Sequence, residues 1–500
     1  MKKMIKKITL LVALMMVLSV LTGVLGACRK NEPAATTEDA TTTLNETPNE
    51  EVEVDYKQYL PTGTFGGAEV GVLAMEGRDN QLFVAEGKAM DAFDNAVYKR
   101  NLYVEETYDV YFEYIKYPGA PSYAHDLLRA EFFSGSEDFE IVTGDYYWGL
   151  ETCEYFYNLH DYEVLNFENP YWIDGWNQQT TINGKMYTAV GFYTMDLIRQ
   201  MVGVFCNNYV AEDHGITSIY DMVDNGTWTI EAMLEMMETA TADNGDGSST
   251  FEDRYGLAYN IWGGRALLYG CGLKLASYNS DSGEVEFTLT SESNVNIFQT
   301  LYKFCNNNAF SYYGGGAGSV EDPKGDKALF QEGRALFATN PLGYSATVSG
   351  ELDGFSILPT PKYDTNQADY ISTILGTVVF GIMNTSKMPT RAATLLEAMT
   401  ILSYEDVRPV YYEEMLKIRY QSDAKTAEIM DMMMDNIYID FLFINSYSFG
   451  GVADAPFDFI VNYDRNYVSG MSKYEEKLQT NWEKLQAVYA DKQVEETPAT

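Results

Sequence analysis

Short apolar runs alternate with amphipathic stretches from about residue 69 onward, and this alternation predicts an α/β protein. Glu69 to Met75 is an apolar run of the kind buried strands show, and Glu76 to Asn80 breaks it. Met90, Phe93, Val97, Asn101 and Val104 fall on one helical face, and Val110 to Ile115 alternates like a second strand. His125 to Phe133 reads as a further helix, and Phe139 to Thr143 as a third strand ending in Gly144-Asp145-Tyr146-Tyr147-Trp148. Strand–helix–strand–helix–strand predicts a parallel sheet. Ligands of such sheets sit beyond the carboxyl ends of the strands, so 76–80 and 145–148 should share a rim.

Farther along, Thr180 to Val190 places an Asn183-Gly184 turn between extended segments, a hairpin pattern. Val202 to Cys206 is apolar enough for a buried strand. Thr229 is an N-cap for a helix whose Ala232, Met233, Met236 and Met237 turn inward, and that methionine stripe reads as core. Trp262 and Arg265 lie in a glycine-rich bend. Val295 to Asn306 and Lys327 to Gly333 are helical, while Ala335 to Thr339 and Phe355 to Leu358 are strands. Ile374 to Met383, rich in β-branched residues, reads as a central strand. From Thr390 the pattern is mainly helical, and Tyr474, Leu478, Trp482 and Leu485 outline the last amphipathic helix.

The N-terminus changes the picture of where the protein works. MKKMIKK followed by an apolar run from Ile8 to Leu25 has the layout of an export signal. Leu25-Gly26-Ala27-Cys28 resembles the lipobox of bacterial lipoproteins, which implies cleavage after residue 27, lipidation of Cys28 and attachment to a membrane. Residues 28–60 are rich in Thr, Glu, Asn and Pro and are expected to form a disordered tether, with a second disordered tail at 493–500.

Five hundred residues exceed what one core usually supports, so two lobes are expected. The net charge of −39 becomes −43 once the four lysines of residues 1–27 are removed. Such an excess argues against nucleic acid or an anionic membrane surface as a partner. Cys153, Cys206, Cys271 and Cys305 show no C-x-x-C spacing and sit among apolar neighbours, which suits buried free thiols.

No sequence motif for a zinc protease, serine hydrolase or P-loop nucleotide enzyme occurs, and His125, His160 and His214 stand apart from any metal-ligand cluster. Residues 242–253 approximate a twelve-residue calcium loop, with Asn244, Asp246, Ser248 and Asp253 as candidate ligands. Ala242 stands where the loop needs Asp and Asp253 where it needs Glu, so an Asp/Gly turn is the better reading; no other cofactor is expected. Tyr, Phe and Trp make 14% of the chain, and such rings suit a ligand with C–H faces and many hydroxyls.

The ordered series DAFDNAVYKRNLYVEETYDV, NPYWIDGWNQQTTINGKMYTAVG, VFCNNYVAEDHG, YDMVDNGTWTIEAM, DNGDGSSTFEDRYGLA, FQEGRALFATN and FSILPTPKYDTNQADY resembles the carbohydrate-binding solute receptors of ABC importers, the family of maltose-binding protein. The resemblance implies a type II periplasmic-binding-protein-like fold, with two α/β lobes joined by crossover strands and a ligand cleft between them. It implies an N-terminal lobe of residues 61–196 and 354–402 and a C-terminal lobe of 197–353 and 403–492, crossing first between Tyr187 and Gly203 and returning near Phe355. The expected activity is capture of an oligosaccharide by a monomer that hands it to a membrane permease, without catalysis. The expected ligand residues are Trp148 and Trp262 as stacking rings, Arg78, Asp79 and Arg265 as hydroxyl partners, and Tyr193 and Tyr344 as lining. The alternatives are a secreted carbohydrate-active enzyme, or a receptor for a peptide or polyol that serves a sensor.

Overall fold

The computed structural model describes residues 54–84, 88, 90–118, 121–145, 153–307, 309–315, 325–348, 354–374, 376–417, 424–446 and 448–490. The export signal, the lipidation site Cys28, nearly all of the tether, Trp148 and the 493–500 tail lie outside these residues. From Asp55 onward the chain forms one unit that contains two main sheets.

The first sheet has the order β12-β3-β1-β2. Its strands are β1 (Ala68–Met75), β2 (Val110–Tyr117), β3 (Ile141–Asp145) and β12 (Val378–Ile382). β1 pairs in parallel with β2 from Ala68↔Val110 to Met75↔Tyr117, and in parallel with β3 at Val72↔Ile141 and Leu73↔Val142, as the strand–helix alternation predicts. Val70, Val72, Leu73 and Ala74 are fully buried, the continuous apolar pattern of a strand covered on both faces. Burying each of the three larger side chains contributes roughly 1.5–3 kcal/mol. Gly71 must be glycine, because a Cβ there would lie 2.0 Å from the carbonyl oxygen of Asp138.

The Ala92–Tyr108 helix crosses from β1 to β2. A capping box starts it, Asp94 N–H donating to Asp91 Oδ1 at 2.7 Å and Asp91 N–H to Asp94 Oδ2 at 3.4 Å. Val97 and Val104 face the core as predicted, whereas Met90 precedes the helix and is exposed.

The second sheet has the order β10-β4-β9-β5-β8. Its strands are β4 (Val202–Asn207), β5 (Tyr255–Tyr259), β8 (Ser311–Tyr313), β9 (Ala335–Pro341) and β10 (Phe355–Leu358). β5 runs parallel to both β8 and β9, and β4 runs antiparallel to β9 and β10. Thr229 caps the Ile230–Ala240 helix through its hydroxyl, which accepts from Ala232 N at 3.2 Å, and Met233 and Met237 are buried beneath it. Two small ladders also pair: β6 (Ala276–Asn279) with β7 (Glu284–Phe287), and β11 (Ser372–Thr373) with β13 (Ile437–Tyr438).

Several sequence-based boundaries need correction. Phe355–Leu358 belongs to the second sheet and not to the N-terminal lobe, because its backbone pairs with Val204–Asn207. Ser403–Val407 and the Arg408–Lys417 helix pack on the first lobe: Ser403 Oγ accepts from Arg100 Nη1 at 2.8 Å, and Tyr411 meets Phe93 edge-on at 5.3 Å. Tyr56–Tyr59, assigned to the tether, forms a 3₁₀ turn in which Tyr56 packs on Tyr171 and Tyr404 and donates its N–H to Glu405 at 3.1 Å. β12 closes one end of the first sheet and runs antiparallel to β3, so it is not central. It is buried nonetheless, since Ala189 and Phe380 exchange backbone hydrogen bonds across its free side. The 180–190 hairpin reduces to the two-residue turn at Asn183 and Gly184, both with positive φ, because the preceding residues form the Asp174–Thr180 helix.

Cys206, Cys271 and Cys305 are buried free thiols. Burial pushes Cys206 and Cys305 up to about 12 and raises Cys271 as well, which keeps them protonated and unreactive. Trp172, Trp176 and Trp228 are core residues, and Trp228 Nε1 donates to the carbonyl of Pro359 at 2.9 Å.

Candidate functional site

The carboxyl ends of β1, β2 and β3 share one edge of the first sheet, and there the chain places an ion-pair node. Arg78, three residues past β1, donates through Nη2 to Asp145 Oδ2 at 3.0 Å and through Nη1 to Asp196 Oδ2. Asp196 has no exposure. It also accepts from Val378 N at 3.1 Å and from Gln81 Nε2 at 3.3 Å. Burial works against the Arg78 cation, but Asp196 and Asp145 outweigh it, so its pKa rises. Asp79 faces away from this node, pairing with Lys116 Nζ at 2.7 Å and accepting from Gly77 N at 3.1 Å.

The matching edge of the second sheet is organised by Asn260, which follows β5. Its Oδ1 accepts from Trp262 N (3.0 Å) and Gly263 N (3.1 Å), capping the Ile261–Gly270 helix. Its Nδ2 donates to Asp326 Oδ2 (3.0 Å) and Asn340 Oδ1 (2.8 Å), and Asn340 Nδ2 donates to Asp326 Oδ2 at 3.3 Å. All three side chains are buried, and burial raises the Asp326 carboxyl above its usual range against the pull of Asn340, Lys327 and Asn260. What sequence reads as a glycine-rich bend is therefore a helix. Gly263 and Gly264 are there for contact: a Cβ would lie 2.0 Å from Thr339 Oγ1 at the first and 2.0 Å from Phe457 at the second.

Trp262 is half-buried in the first turn of this helix. Arg265 lies one turn on, its guanidinium carbon 5.6 Å from the Trp262 ring centroid and its Nη2 3.1 Å from Asp454 Oδ1. These two expected ligand residues form one cluster, with the indole stiffened by a cation against it. Among the described residues Arg265 Nε is buried with no hydrogen-bond partner. The arrangement offers a flat aromatic surface, a guanidinium and buried amide groups, which is chemistry for holding a polar ring compound. Among the described residues no group of three or more His, Cys, Asp or Glu is placed to hold a metal.

Tyr193 and Tyr344, expected to line a cleft, are enclosed instead. The Tyr193 ring meets Phe380 edge-on at 4.9 Å and lies 5.6 Å from the Arg100 guanidinium, and burial pushes its hydroxyl up to about 12. Tyr344 donates to the carbonyl of Lys327 at 3.2 Å and packs on Phe205 at 5.3 Å. Tyr193 lies on the segment that leaves the first sheet for the second, and Tyr344 in the turn that follows β9 within the second sheet; core neighbours surround both.

In the 242–253 loop the candidate calcium ligands Asn244, Asp246 and Asp253 are engaged by the loop's own backbone. Asp253 Oδ1 accepts from Asn244 N at 2.9 Å and Oδ2 from Thr250 N at 2.7 Å. Asn244 Oδ1 accepts from Asp246 N, and Asp246 Oδ1 from Ser248 N. The side-chain oxygens close turns on their own backbone.

Sequence reasoning missed Asp196, Asn260 and Asp326 as organising residues. Asn260 was within reach, since an Asn between a strand and an apolar helical run reads as an N-cap. Asp196 left no local trace, because its partners Arg78 and Val378 are 118 and 182 residues away.

No family model matches the chain, and no curated protein matches it. Solved structures do. The sugar-binding protein MalE of the phytopathogen Xanthomonas citri superposes with a TM-score of 0.57 at 10% identity, covering 85% of this chain and 100% of its own. A cyclo/maltodextrin-binding protein complexed with maltotetraose gives 0.55 at 12% identity, covering 86% and 98%. An ABC substrate-binding protein of Listeria monocytogenes in complex with cycloalternan gives 0.52 at 12% identity, covering 85% and 99%. At such identities the likeness is one of fold, and the protein has the two-lobe α/β fold of the MalE-type solute-binding proteins.

Proposed function

We propose that the protein is a lipid-anchored extracellular receptor that captures an oligosaccharide between its lobes and delivers it to the permease of an ABC importer. The observation that carries this reading is the fold likeness, which spans nearly the whole described chain and the full length of several proteins named for maltodextrins and related sugars. The half-buried Trp262 beside Arg265, at the carboxyl ends of the parallel strands β5, β8 and β9, supports it, because binding sites of open α/β sheets occur at that edge. Trp262 stacks on a sugar face and Arg265 supplies a hydroxyl partner, with Trp148 as the ring expected from the other lobe. The lipobox-like sequence ending at Cys28 supports attachment at the outer face of the cytoplasmic membrane, where the receptor acts as a monomer. Among the described residues no helix is long and apolar enough to cross a membrane.

The test is a thermal-unfolding screen of purified protein against maltose, maltotetraose, a cyclic glucan, a polyol and a short peptide, with chromatography of each sugar afterwards. A raised midpoint with an oligosaccharide recovered intact supports the receptor. Cleaved sugar would mean an enzyme, and a shift with the peptide or polyol alone would mean another solute.

A further inference from the structure

Arg78 was expected to bind ligand hydroxyls, yet both ends of its guanidinium are engaged by carboxylates from distant parts of the chain. Asp145 ends β3. Asp196 opens the Asp196–Gln200 helix, on the segment that leaves the first sheet after Ala189 and enters the second at Val202. Val378, whose N–H donates to Asp196, opens β12 where the chain returns to the first sheet. The far end of the Asp196–Gln200 helix is tied differently. Met201 bridges Ile374 of the returning segment, and its carbonyl accepts from Leu342 N, one residue past β9, at 2.8 Å. Both crossings are thus pinned at Asp196 to the first sheet and at Met201 to the second.

Resting on the reading of the protein as a lobe-closing receptor, we propose that Arg78 is a positioning residue: it fixes both crossings to the first lobe and confines the pivot to the stretch between Asp196 and Met201. The physical reason is that Asp196 is a wholly buried carboxylate with Arg78 as its ion-pair partner, and removing one partner of such a pair strands the other charge. The guanidinium meets Asp145 and Asp196 with two separate nitrogens held in one plane, a geometry the single ammonium of a lysine does not reproduce.

The test is amide hydrogen exchange on the full chain without ligand, comparing wild type, Arg78→Lys and Arg78→Met. Expected is faster exchange at residues 197–201 and at Val378 in Arg78→Met, a smaller increase in Arg78→Lys, and wild-type rates at the β1–β2 and β4–β9 pairs. Titration with maltose and maltotetraose accompanies it; Arg78→Met should weaken both by the same factor, about tenfold, as a shift in a shared conformational equilibrium requires. Unchanged exchange at the crossings overturns the proposal, as does an equal rise across both sheets. Selective loss of one sugar with unchanged exchange would make Arg78 a direct ligand donor and also overturns it. Failure of wild type to bind either sugar counts against the oligosaccharide reading alone, and the exchange result still decides the role of Arg78.

Discussion

Asp440 shows how the buried polar residues govern the pH response. Its carboxylate accepts from Leu275 N at 2.8 Å, Ala276 N at 3.4 Å, Leu442 N at 2.8 Å and the Tyr438 hydroxyl at 3.3 Å. Burial nevertheless pushes its pKa up to about 6 against those four donors. The folded state then holds a proton that the unfolded chain, with an ordinary aspartate near 4, has released. The stabilising effect of that proton is complete below pH ~4 and is lost as pH rises to about 6, on the order of 3 kcal/mol. Denaturant unfolding of wild type and Asp440→Asn from pH 4 to 7 should therefore show the wild-type advantage shrinking as pH rises. An advantage independent of pH would mean that Asp440 stays ionised throughout.

The strands and their order were legible in the sequence because β1, β2 and β3 are bounded apolar or alternating runs with one amphipathic helical face between the first two. The Ile261–Gly270 helix was not, since glycine lowers helix propensity and two adjacent glycines imitate a bend. The missing information was tertiary: the space those glycines leave is filled by Thr339 and Phe457. Propensity alone says that Gly263→Ala should stabilise the helix by roughly 1 kcal/mol. The contact with Thr339 says the reverse, at about 1–3 kcal/mol of overpacking. A lower melting midpoint for Gly263→Ala is the expected outcome, and a higher one would show that the helix shifts freely away from β9. At the Ile230–Ala240 helix, Thr229→Ala should cost about 1 kcal/mol in denaturant unfolding by removing the acceptor for Ala232 N.

At the scale of the whole molecule, the two-lobe plan was readable from ordered motifs, whereas the site was readable only in part. Trp262 and Arg265 come together because they are three residues apart on one helix, a local juxtaposition that follows once the segment is helical. The Arg78 node and the Asn260–Asp326–Asn340 network come together through crossings and sheet pairing, which single-chain patterning does not encode. On the proposed function, an oligosaccharide binds at the sheet edge that carries Trp262. Calorimetric titration of wild type and Trp262→Ala with maltodextrins tests it most directly. Saturable one-to-one binding to wild type is expected, with an affinity lowered about tenfold or more in the variant, in line with roughly 1–3 kcal/mol for a lost aromatic platform. Equal affinity in both proteins, or no heat with any sugar, would contradict it.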